Sequence, residues 1–474
     1  MNSYKKLVNN SIIFAIGNLG TKLIVFFLIP IYTTYLTKSE FGTADLLTST
    51  LSFLLPIFTL SIFDSVLRFT MDKGYNSQEV LMNSLIVMIM GFFISFLAYP
   101  ILISVLPFKS FILLFYILMF IQAINVILTQ YIRAIGMVKL FAANGIVNAI
   151  ALLFFNLIFL IIFHLGIKGY LYAFILSNII SSLVVIIGGK MKKDFVVKKV
   201  NVQLAKEMMK YSIPLIPNAL MWWIMGLSDR YIINYFLGLS ATGMYAVANK
   251  IPSILNVVNS IFFQAWQMSA IEEVNSKEKS QFFSKVFNNF AIVMLISTSV
   301  ILILLKIIIK LLAADSYFNS WNYVPFLLLG IVFSSFSGFL GTNYIANKKT
   351  SGVFKTSAIG AGINIILNLL LIPLIGINGA SIGTMISFLI IWLLRIKDTK
   401  KFVEIKMNNK NLLFSLFIIL LQILTLYSVS SLKSYLIQIL LFSSLIFVNF
   451  SEVKVLLSII VNKFEKNKSR QYGK

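Results

Sequence analysis

The sequence has no cysteine and a single histidine, His164, among its 474 residues. Without cysteine there is no disulfide framework, no thiol nucleophile and no thiolate metal site. One imidazole is also too few for a histidine-rich metal centre. We therefore predict neither a bound metal nor a cofactor.

Acidic residues are scarce: 16 Asp and Glu face 40 Lys and Arg, giving a formal net charge of +24. In a soluble protein this excess would suggest a nucleic-acid partner. The chain is 59% hydrophobic, however, with a mean hydropathy of +0.91, whereas soluble domains are only about half apolar. The composition thus predicts an all-α integral membrane protein.

Spans of about 20 apolar residues predict fourteen transmembrane helices. Their approximate limits are 11–35, 42–67, 81–105, 111–133, 143–164, 169–188, 211–236, 242–268, 286–312, 322–345, 353–374, 379–396, 412–430 and 434–452. With the N-terminus inside, 31 of the 40 basic residues lie on the cytoplasmic side, five lie outside and four lie within spans. By the positive-inside rule this favours a multi-pass protein of the cell (inner or plasma) membrane with both termini cytoplasmic. The same distribution explains the charge without nucleic acid.

The two halves of the chain share sequence patterns in the same order. Residues 11–44 align with residues 212–245 at a constant offset of 201, which pairs Gly42 with Gly243. Farther along, LGIKGYLYA resembles IGINGASIG. This order indicates duplication of a six-helix unit, and an even number of helices makes the two copies parallel.

The predicted organisation is therefore two lobes and two additional helices, joined by basic cytoplasmic segments. The parts are a first lobe (1–188), a basic linker (189–210), a second lobe (211–397), a cytoplasmic loop (398–411), helices thirteen and fourteen (412–452) and a basic tail (453–474).

Several predicted spans contain lysine or arginine. Because a charge in a bilayer is expensive, it indicates a water-filled path or a paired interior site. Lys22 lies at mid-depth of the first helix with Asn18 one turn away on the same face, and it serves either as a cavity cation or in a structural ion pair. The other candidate cavity cations inside spans are Arg230, Lys250 and Lys306.

Two acids are candidates for coupling transport to a cation. Asp64 is four residues from Arg68, so it forms an intrahelical salt bridge or titrates during a transport cycle. Asp229 and Arg230 are adjacent and project about 100° apart on a helix. We expect Arg230 to serve an anion and Asp229 to face another helix.

Amide side chains recur at helical spacing in two spans. Asn249 and Asn256 follow the turn LGLSATG, and Asn364 lies in the eleventh span. Such stripes line a cavity or form hydrogen bonds between neighbouring helices. Trp222 and Trp223 lie inside a span, where they stack on sugars or pack between helices.

Three runs resemble polysaccharide repeat-unit flippases of the Wzx type. They are DRYIINYFLGLSATGMYAVANKIPSIL from Asp229, the opening run Asn10–Ser49, and LLLIPLIGINGASIGTMIS at Leu369–Ser387. This resemblance identifies the chain as a member of the multidrug/oligosaccharidyl-lipid/polysaccharide exporter superfamily. It implies two six-helix lobes around a central cavity, with two extra C-terminal helices.

The resemblance implies that undecaprenyl-diphosphate-linked oligosaccharides are flipped to the outer leaflet by alternating access, for O-antigen or capsule synthesis. It implies as partners the lipid-linked oligosaccharide, membrane lipids and other polysaccharide-assembly proteins. Cavity cations come from helices one, two, seven and eight in that superfamily, and Lys22, Arg68, Arg230 and Lys250 occupy these helices here.

Three alternatives remain open: a cation-coupled multidrug antiporter of the same fold, a lipid II flippase, and, from a different class, a polysaccharide polymerase. The sequence has no phosphate-binding GxxxxGK[ST] loop. No predicted segment outside the spans is long enough for a catalytic domain. We therefore expect a transporter and not an enzyme.

Overall fold

The computed structural model describes residues 20–22, 24, 26–72, 74–195, 200–272, 278–347, 351–429 and 432–454. All regular secondary structure in these ranges is helical. Ten helical segments in them are long and apolar enough to cross a membrane, and three shorter apolar helices accompany these. The prediction of an all-α membrane protein is confirmed, while the total of fourteen spans stays a prediction.

The chain divides into two compact units. The first comprises Met1–Val247 with Leu312–Tyr317, and the second comprises Ala248–Leu311 with Phe318–Lys474. The helices up to this division are α1 (Gly20–Tyr35), α2 (Lys38–Phe58), α3 (Ile62–Thr70), α4 (Ser77–Leu97), α5 (Tyr99–Val105), α6 (Ile112–Ala134), α7 (Val138–Asn156), α8 (Gly166–Gly188), α9 (Val202–Ser212), α10 (Ile216–Leu227) and α11 (Asp229–Lys250), whose last residues reach the second unit.

The second unit contains seven further helices among its described residues. They are α12 (Pro252–Glu272), α13 (Lys279–Leu312), α14 (Val324–Ala346), α15 (Ser351–Ile375), α16 (Ile377–Thr399), α17 (Asn409–Ser428) and α18 (Leu432–Val448). The predicted lobes 1–188 and 211–397 stay predictions. The first compact unit does not end at the basic linker but continues into α11.

Several predicted spans are interrupted. The span 42–67 is divided into α2 and α3 by a left-handed turn at Leu60 and Ser61, with φ of 52° and 49°. Pro56 lies in the last turn of α2 and lacks the N–H that a helical hydrogen bond needs. The span 211–236 is likewise irregular, because a short 3₁₀ segment containing Pro214 separates α9 from α10.

The matched glycines of the repeat have matching local geometry. Gly166 begins α8 and Gly376 directly precedes α16, with φ of 55° and 66°, a conformation that glycine adopts without strain. Three residues later, a Cβ on Gly169 would lie 3.1 Å from a backbone oxygen of the preceding helical segment. A Cβ on Gly379 would lie 2.4 Å from a backbone carbonyl carbon of α15. In both places the glycines permit a tight reversal and close helix packing.

A second glycine pair brings α2 against the second half of α11. A Cβ on Gly42 would lie 2.1 Å from the Leu239 carbonyl oxygen, and a Cβ on Gly243 would lie 2.0 Å from the Lys38 carbonyl oxygen. No larger residue fits at this backbone-to-backbone approach. This close crossing allows buried side chains of α2 and α11 to contact each other.

The start of α2 is fixed by a capping box. The Thr37 hydroxyl accepts a hydrogen bond from the Glu40 backbone N–H at 3.2 Å. The Glu40 carboxylate accepts one from the Thr37 backbone N–H at 2.9 Å. Such caps contribute about 1 kcal/mol, and this one sets where the helix carrying Asp45 begins.

Candidate functional site

The helix α11 reverses direction at Gly238, where φ is 82° and ψ is 176°. The predicted turn between the two apolar segments is therefore confirmed. The reversal returns Tyr245 to Asp229, sixteen residues earlier, and the Tyr245 hydroxyl donates a hydrogen bond to Asp229 Oδ2. One end of a buried polar cluster is thus formed within a single hairpin.

Arg230 joins this hairpin to α2. Its Nε donates to Asp45 Oδ2 at 2.6 Å, and its Nη1 donates to Asp229 Oδ1 at 3.1 Å. Nη1 also donates to the Gly226 carbonyl oxygen at 3.0 Å. The three ionisable side chains are only 7% (Arg230), 11% (Asp45) and 4% (Asp229) exposed. We call Asp45, Asp229, Arg230 and Tyr245 the acid–arginine cluster.

The acid–arginine cluster has unequal numbers of positive and negative groups. One guanidinium faces two carboxylates, so the cluster carries a net charge of −1 when both acids are ionised. Burying charges is costly unless each is paired and hydrogen-bonded. The guanidinium of Arg230 is therefore shared between the two carboxylates.

The sequence predicts different partners for Asp229 and Arg230. This prediction is wrong, because the two side chains contact each other. Neither Asp45 nor Tyr245 was predicted as a partner of these residues. The sequence offers one sign of this pairing, which is an acid in the apolar run of α2 and an intramembrane arginine in the other half of the chain. The Arg230 charge is already matched here, so its service to an anionic substrate stays a prediction that requires this pairing to open.

Aromatic side chains flank the acid–arginine cluster. Trp223 donates from Nε1 to the Ser49 carbonyl oxygen at 2.8 Å and packs on Phe53, with ring centroids 4.5 Å apart. The hydroxyl groups of Tyr231 and Thr50 are hydrogen-bonded to each other. Trp223 thus packs between helices, whereas Trp222 is 50% exposed and its ring is accessible.

A polar cavity of about 270 Å³ lies in the first unit among α1, α6, α7 and α8. Among the described residues, no charged side chain lines it. The lining residues are Thr21, Gln122, Asn125, Val126, Thr129, Phe141, Ala142, Asn144, Gly145, Asn148, Asn178 and Ser181. We call this space the amide pocket, because five of these side chains are carboxamides.

Hydrogen bonds hold part of the amide pocket rigid. Asn125 Nδ2 donates to Ser181 Oγ at 2.7 Å, and Asn144 Nδ2 donates to the same oxygen at 2.8 Å. The Ser181 hydroxyl donates in turn to Asn144 Oδ1 at 3.0 Å. Gln122 and Asn148 are half-buried, and their side chains have donors and acceptors available for a ligand. This uncharged lining suits a neutral group rich in hydroxyls.

Two predicted cations are at exposed positions. Lys22 is exposed on α1, directly after Thr21 of the amide pocket. Arg68 is also exposed, and it pairs with Asp72 at 3.7 Å. Among the described residues, Asp64 forms no ion pair, so the expected Asp64–Arg68 bridge is wrong. Asp64 as a coupling acid stays a prediction.

Four further predicted site residues lie in α11, α12 and α15. Lys250 ends α11 and follows Asn249, and both are half-buried, as is Asn256 in α12. Asn364 is buried and donates to Thr384 Oγ1 at 3.3 Å, so it joins α15 to α16. Asn18 lies outside the described residues.

Two basic residues of the second unit are fixed by neutral partners. Lys306 donates to the Leu426 carbonyl oxygen at 3.2 Å. Arg395, which the sequence analysis did not choose as a site residue, is 3% exposed. It donates to the Ser337 carbonyl oxygen at 2.8 Å and to Thr356 Oγ1 at 3.0 Å. It therefore ties α14 and α15 to α16.

Comparison with known families and proteins gives one family match over much of the chain. Residues 7–267 match the family described as polysaccharide biosynthesis protein. An uncharacterized membrane protein of Methanocaldococcus jannaschii is 28% identical over 286 residues, covering 57% of this chain and 55% of the relative. The chain thus matches only about half the length of that relative.

Similar solved structures are membrane transporters with the same fold. A lipid II flippase, MurJ, in an inward closed conformation has a TM-score of 0.73 at 14% identity, covering 95% of this chain and 100% of that one. An inward-facing multidrug resistance transporter of the MATE family, in the MOP superfamily, has a TM-score of 0.66 at 14% identity, covering 82% and 98%. A MATE transporter of Vibrio cholerae has a TM-score of 0.57 at 15% identity, covering 84% and 97%. The predicted superfamily fold is confirmed.

Proposed function

Because the chain belongs to the polysaccharide biosynthesis protein family, we propose that it is a flippase for lipid-linked oligosaccharides. In this proposal it moves repeat units carried on undecaprenyl diphosphate from the inner to the outer leaflet by alternating access. The observation that carries the proposal is the amide pocket, an uncharged hydroxyl-binding surface inside a unit of membrane-spanning helices.

The lining of the amide pocket matches the chemistry of sugars. Carboxamides both donate and accept hydrogen bonds, as sugar hydroxyls do. A cationic drug would need carboxylates or aromatic faces around it, and in the described part of the chain Phe141 is the single aromatic residue that lines the pocket. The volume of about 270 Å³ is near the lower end of ligand pockets, which span roughly 300–1,000 Å³. We propose that part of a repeat unit is held there, with the lipid tail remaining in the bilayer.

The diphosphate of the carrier lipid requires cations. Lys22 is the nearest candidate in sequence, because it follows Thr21 of the amide pocket and its side chain is exposed. Charge-assisted hydrogen bonds from an ammonium group to phosphate are about twice as strong as neutral ones. We propose that Lys22 contacts the diphosphate while the sugar occupies the amide pocket. Arg68 and Lys250 stay additional candidates.

The acid–arginine cluster supplies a candidate for energy coupling. Addition of one proton at Asp229 would remove the net charge of the cluster, and loss of the proton would restore it. A proton that crosses the membrane contributes about 2.3 kcal/mol per 100 mV. We propose that this proton exchange accompanies the change between inward-open and outward-open states.

A complementation experiment tests the proposed function. A strain that lacks this gene is complemented with wild type, with Gln122→Leu/Asn148→Leu, or with Lys22→Ala, and its lipid-linked oligosaccharides are separated by thin-layer chromatography. We expect the deletion to accumulate a complete repeat unit on its carrier and only wild type to clear it fully. Asn319→Leu and Lys168→Ala are matched controls, since both side chains are exposed and neither lines the amide pocket.

The outcomes separate the parts of the proposal. Accumulation that wild type clears supports the flippase. Full clearance by the Gln122→Leu/Asn148→Leu variant, at equal membrane abundance, would remove the amide pocket from the transport path. Full clearance by Lys22→Ala would remove only the diphosphate contact. If the deletion strain accumulates no lipid-linked unit, the proposed function is wrong.

A second candidate function is a cation-coupled multidrug antiporter. The buried carboxylates Asp45 and Asp229 favour it, because they outnumber their single guanidinium partner. This alternative predicts that the deletion strain becomes sensitive to cationic dyes and accumulates no lipid-linked sugar. The antiporter would be favoured over the flippase if wild type restores dye resistance and Asp45→Asn does not.

A further inference from the structure

Two lysines near the end of α13 face a pocket outside the sites described above. Lys306 and Lys310 are one helical turn apart and both line a cavity of about 360 Å³ within the second unit. Residues four apart share a face of a helix. The cavity is lined by Ile303, Lys306, Ile307, Lys310, Phe318, Leu426, Ser434, Tyr435 and Gln438. We call it the lysine pocket.

Among the described residues, the Lys306 ammonium group has neutral partners only. It lies 4.2 Å from the centroid of the Trp321 ring and 3.2 Å from the Leu426 carbonyl oxygen. Within the described part of the chain, no carboxylate lies within 4.0 Å of Lys306 or Lys310. Both lysines belong to a helix apolar enough to cross a membrane. A charge at such a position is stabilised by a counter-charge, and the described side chains around this cavity do not supply one.

The lysine pocket also contains an unused hydrogen-bond acceptor. Gln438 is 1% exposed. Its Nε2 donates to the Gln422 carbonyl oxygen at 2.7 Å, whereas its buried Oε1 has no hydrogen-bond partner. An unpaired buried acceptor costs free energy. A ligand that carries a hydroxyl group would satisfy it.

The lysine pocket lies near the ends of three helices. The helix α13 ends at Leu312, α17 ends at Ser428 and α18 begins at Leu432, so the pocket lies where these helices meet their connecting segments. The rings of Trp321 and Tyr427 lie 5.5 Å apart beside it. Tryptophan and tyrosine concentrate at the membrane–water interface, which is the depth of phospholipid phosphates.

We propose that the lysine pocket binds the headgroup of an anionic phospholipid. Lys306 and Lys310 contact the phosphodiester, and a headgroup hydroxyl donates to Gln438 Oε1. The acyl chains extend over the apolar part of the pocket wall, where Ile307 is 43% exposed. Free phosphate would use the two lysines but would leave this apolar wall uncovered. The wall therefore favours a lipid over inorganic phosphate.

Native mass spectrometry of the full-length protein tests this proposal. The protein in detergent is titrated with phosphatidylglycerol, phosphatidylcholine or inorganic phosphate, and the bound fraction is measured for each. We expect phosphatidylglycerol to bind about tenfold more tightly than phosphatidylcholine, because choline has no headgroup hydroxyl and its quaternary ammonium is repelled by the two lysines. Lys306→Gln/Lys310→Gln should remove the preference, and Lys168→Gln, which changes an exposed lysine of the first unit, should retain it.

Two further variants guard against a folding defect. Lys310→Gln alone changes an exposed side chain and should weaken phosphatidylglycerol binding several-fold in a folded protein. Lys306→Arg keeps the charge and the ring contact and should retain binding. The proposal is overturned if phosphatidylcholine binds as well as phosphatidylglycerol, or if the double variant keeps the preference. It is also overturned if inorganic phosphate alone competes fully with the lipid, because the pocket would then be a phosphate site.

Discussion

The acid–arginine cluster predicts a specific order of stabilities when its charges are removed one at a time. Arg230→Gln leaves Asp45 and Asp229 buried without their common cation. Removing one partner of a buried ion pair costs about 3–5 kcal/mol. Asp45→Asn, by contrast, leaves one guanidinium with one carboxylate, and the amide oxygen can still accept from Arg230. We expect this second change to cost only about 1 kcal/mol.

The double variant supplies the decisive comparison. With both changes made, a single buried carboxylate remains, hydrogen-bonded to Tyr245. If charge balance governs the cluster, Asp45→Asn should partly rescue Arg230→Gln. The expected coupling is about 1–3 kcal/mol, the usual range for residues in one polar network. Independent contributions would instead make the two costs additive.

The assay is the free energy of unfolding in mixed detergent micelles, followed by tryptophan fluorescence. Arg230→Lys is a useful control, because lysine keeps the charge but lacks the fork that reaches Asp45 Oδ2 and Asp229 Oδ1 together. We expect it to lie between wild type and Arg230→Gln. The reasoning is refuted if Arg230→Gln unfolds like wild type, or if the double variant shows no coupling.

Three further predictions follow from particular contacts. Gly243→Ala should lower the yield of folded protein, because a Cβ there would lie 2.0 Å from the Lys38 carbonyl oxygen. Size-exclusion chromatography measures the yield, and a normal yield would contradict the prediction. Arg68→Gln should change the free energy of unfolding by no more than about 0.5 kcal/mol, since its pair with Asp72 is exposed; a larger loss in the detergent assay would show a further role. Arg395→Met should destabilise the protein by about 1–3 kcal/mol through its lost hydrogen bonds. Thermal unfolding measures this loss, and an unchanged unfolding temperature would contradict the prediction.

Much of the fold follows from the sequence, because long apolar runs leave the backbone no partner except itself. The places where prediction failed are local. The left-handed turn at Leu60 and Ser61 lies inside an apolar run, and Pro56 alone does not show whether a helix bends or ends there. The irregular segment at Pro214 has the same cause. Hydropathy reports whether a segment is buried in the bilayer and says little about its continuity.

The candidate site was less predictable, since its contacts join distant parts of the chain. Arg230 and Asp45 are 185 residues apart, and no spacing rule relates them. The charge of Arg230 was visible in the sequence, but its partners were not. The amide pocket is predictable only in part from the sequence: Asn144 and Asn148 have the helical spacing of a polar face, whereas Gln122 and Asn125 come from another helix.

The glycine pair Gly42 and Gly243 connects the repeat to this site. The two residues are equivalent in the alignment at an offset of 201, and each approaches the backbone of the helix that carries the other. Both positions of the predicted repeat therefore require glycine, because a side chain at either one meets the same crossing. Asp45 lies one turn beyond Gly42, whereas the corresponding position in the other copy is Ala246. The packing is therefore shared by the two copies, and the charge that the acid–arginine cluster uses belongs to one of them.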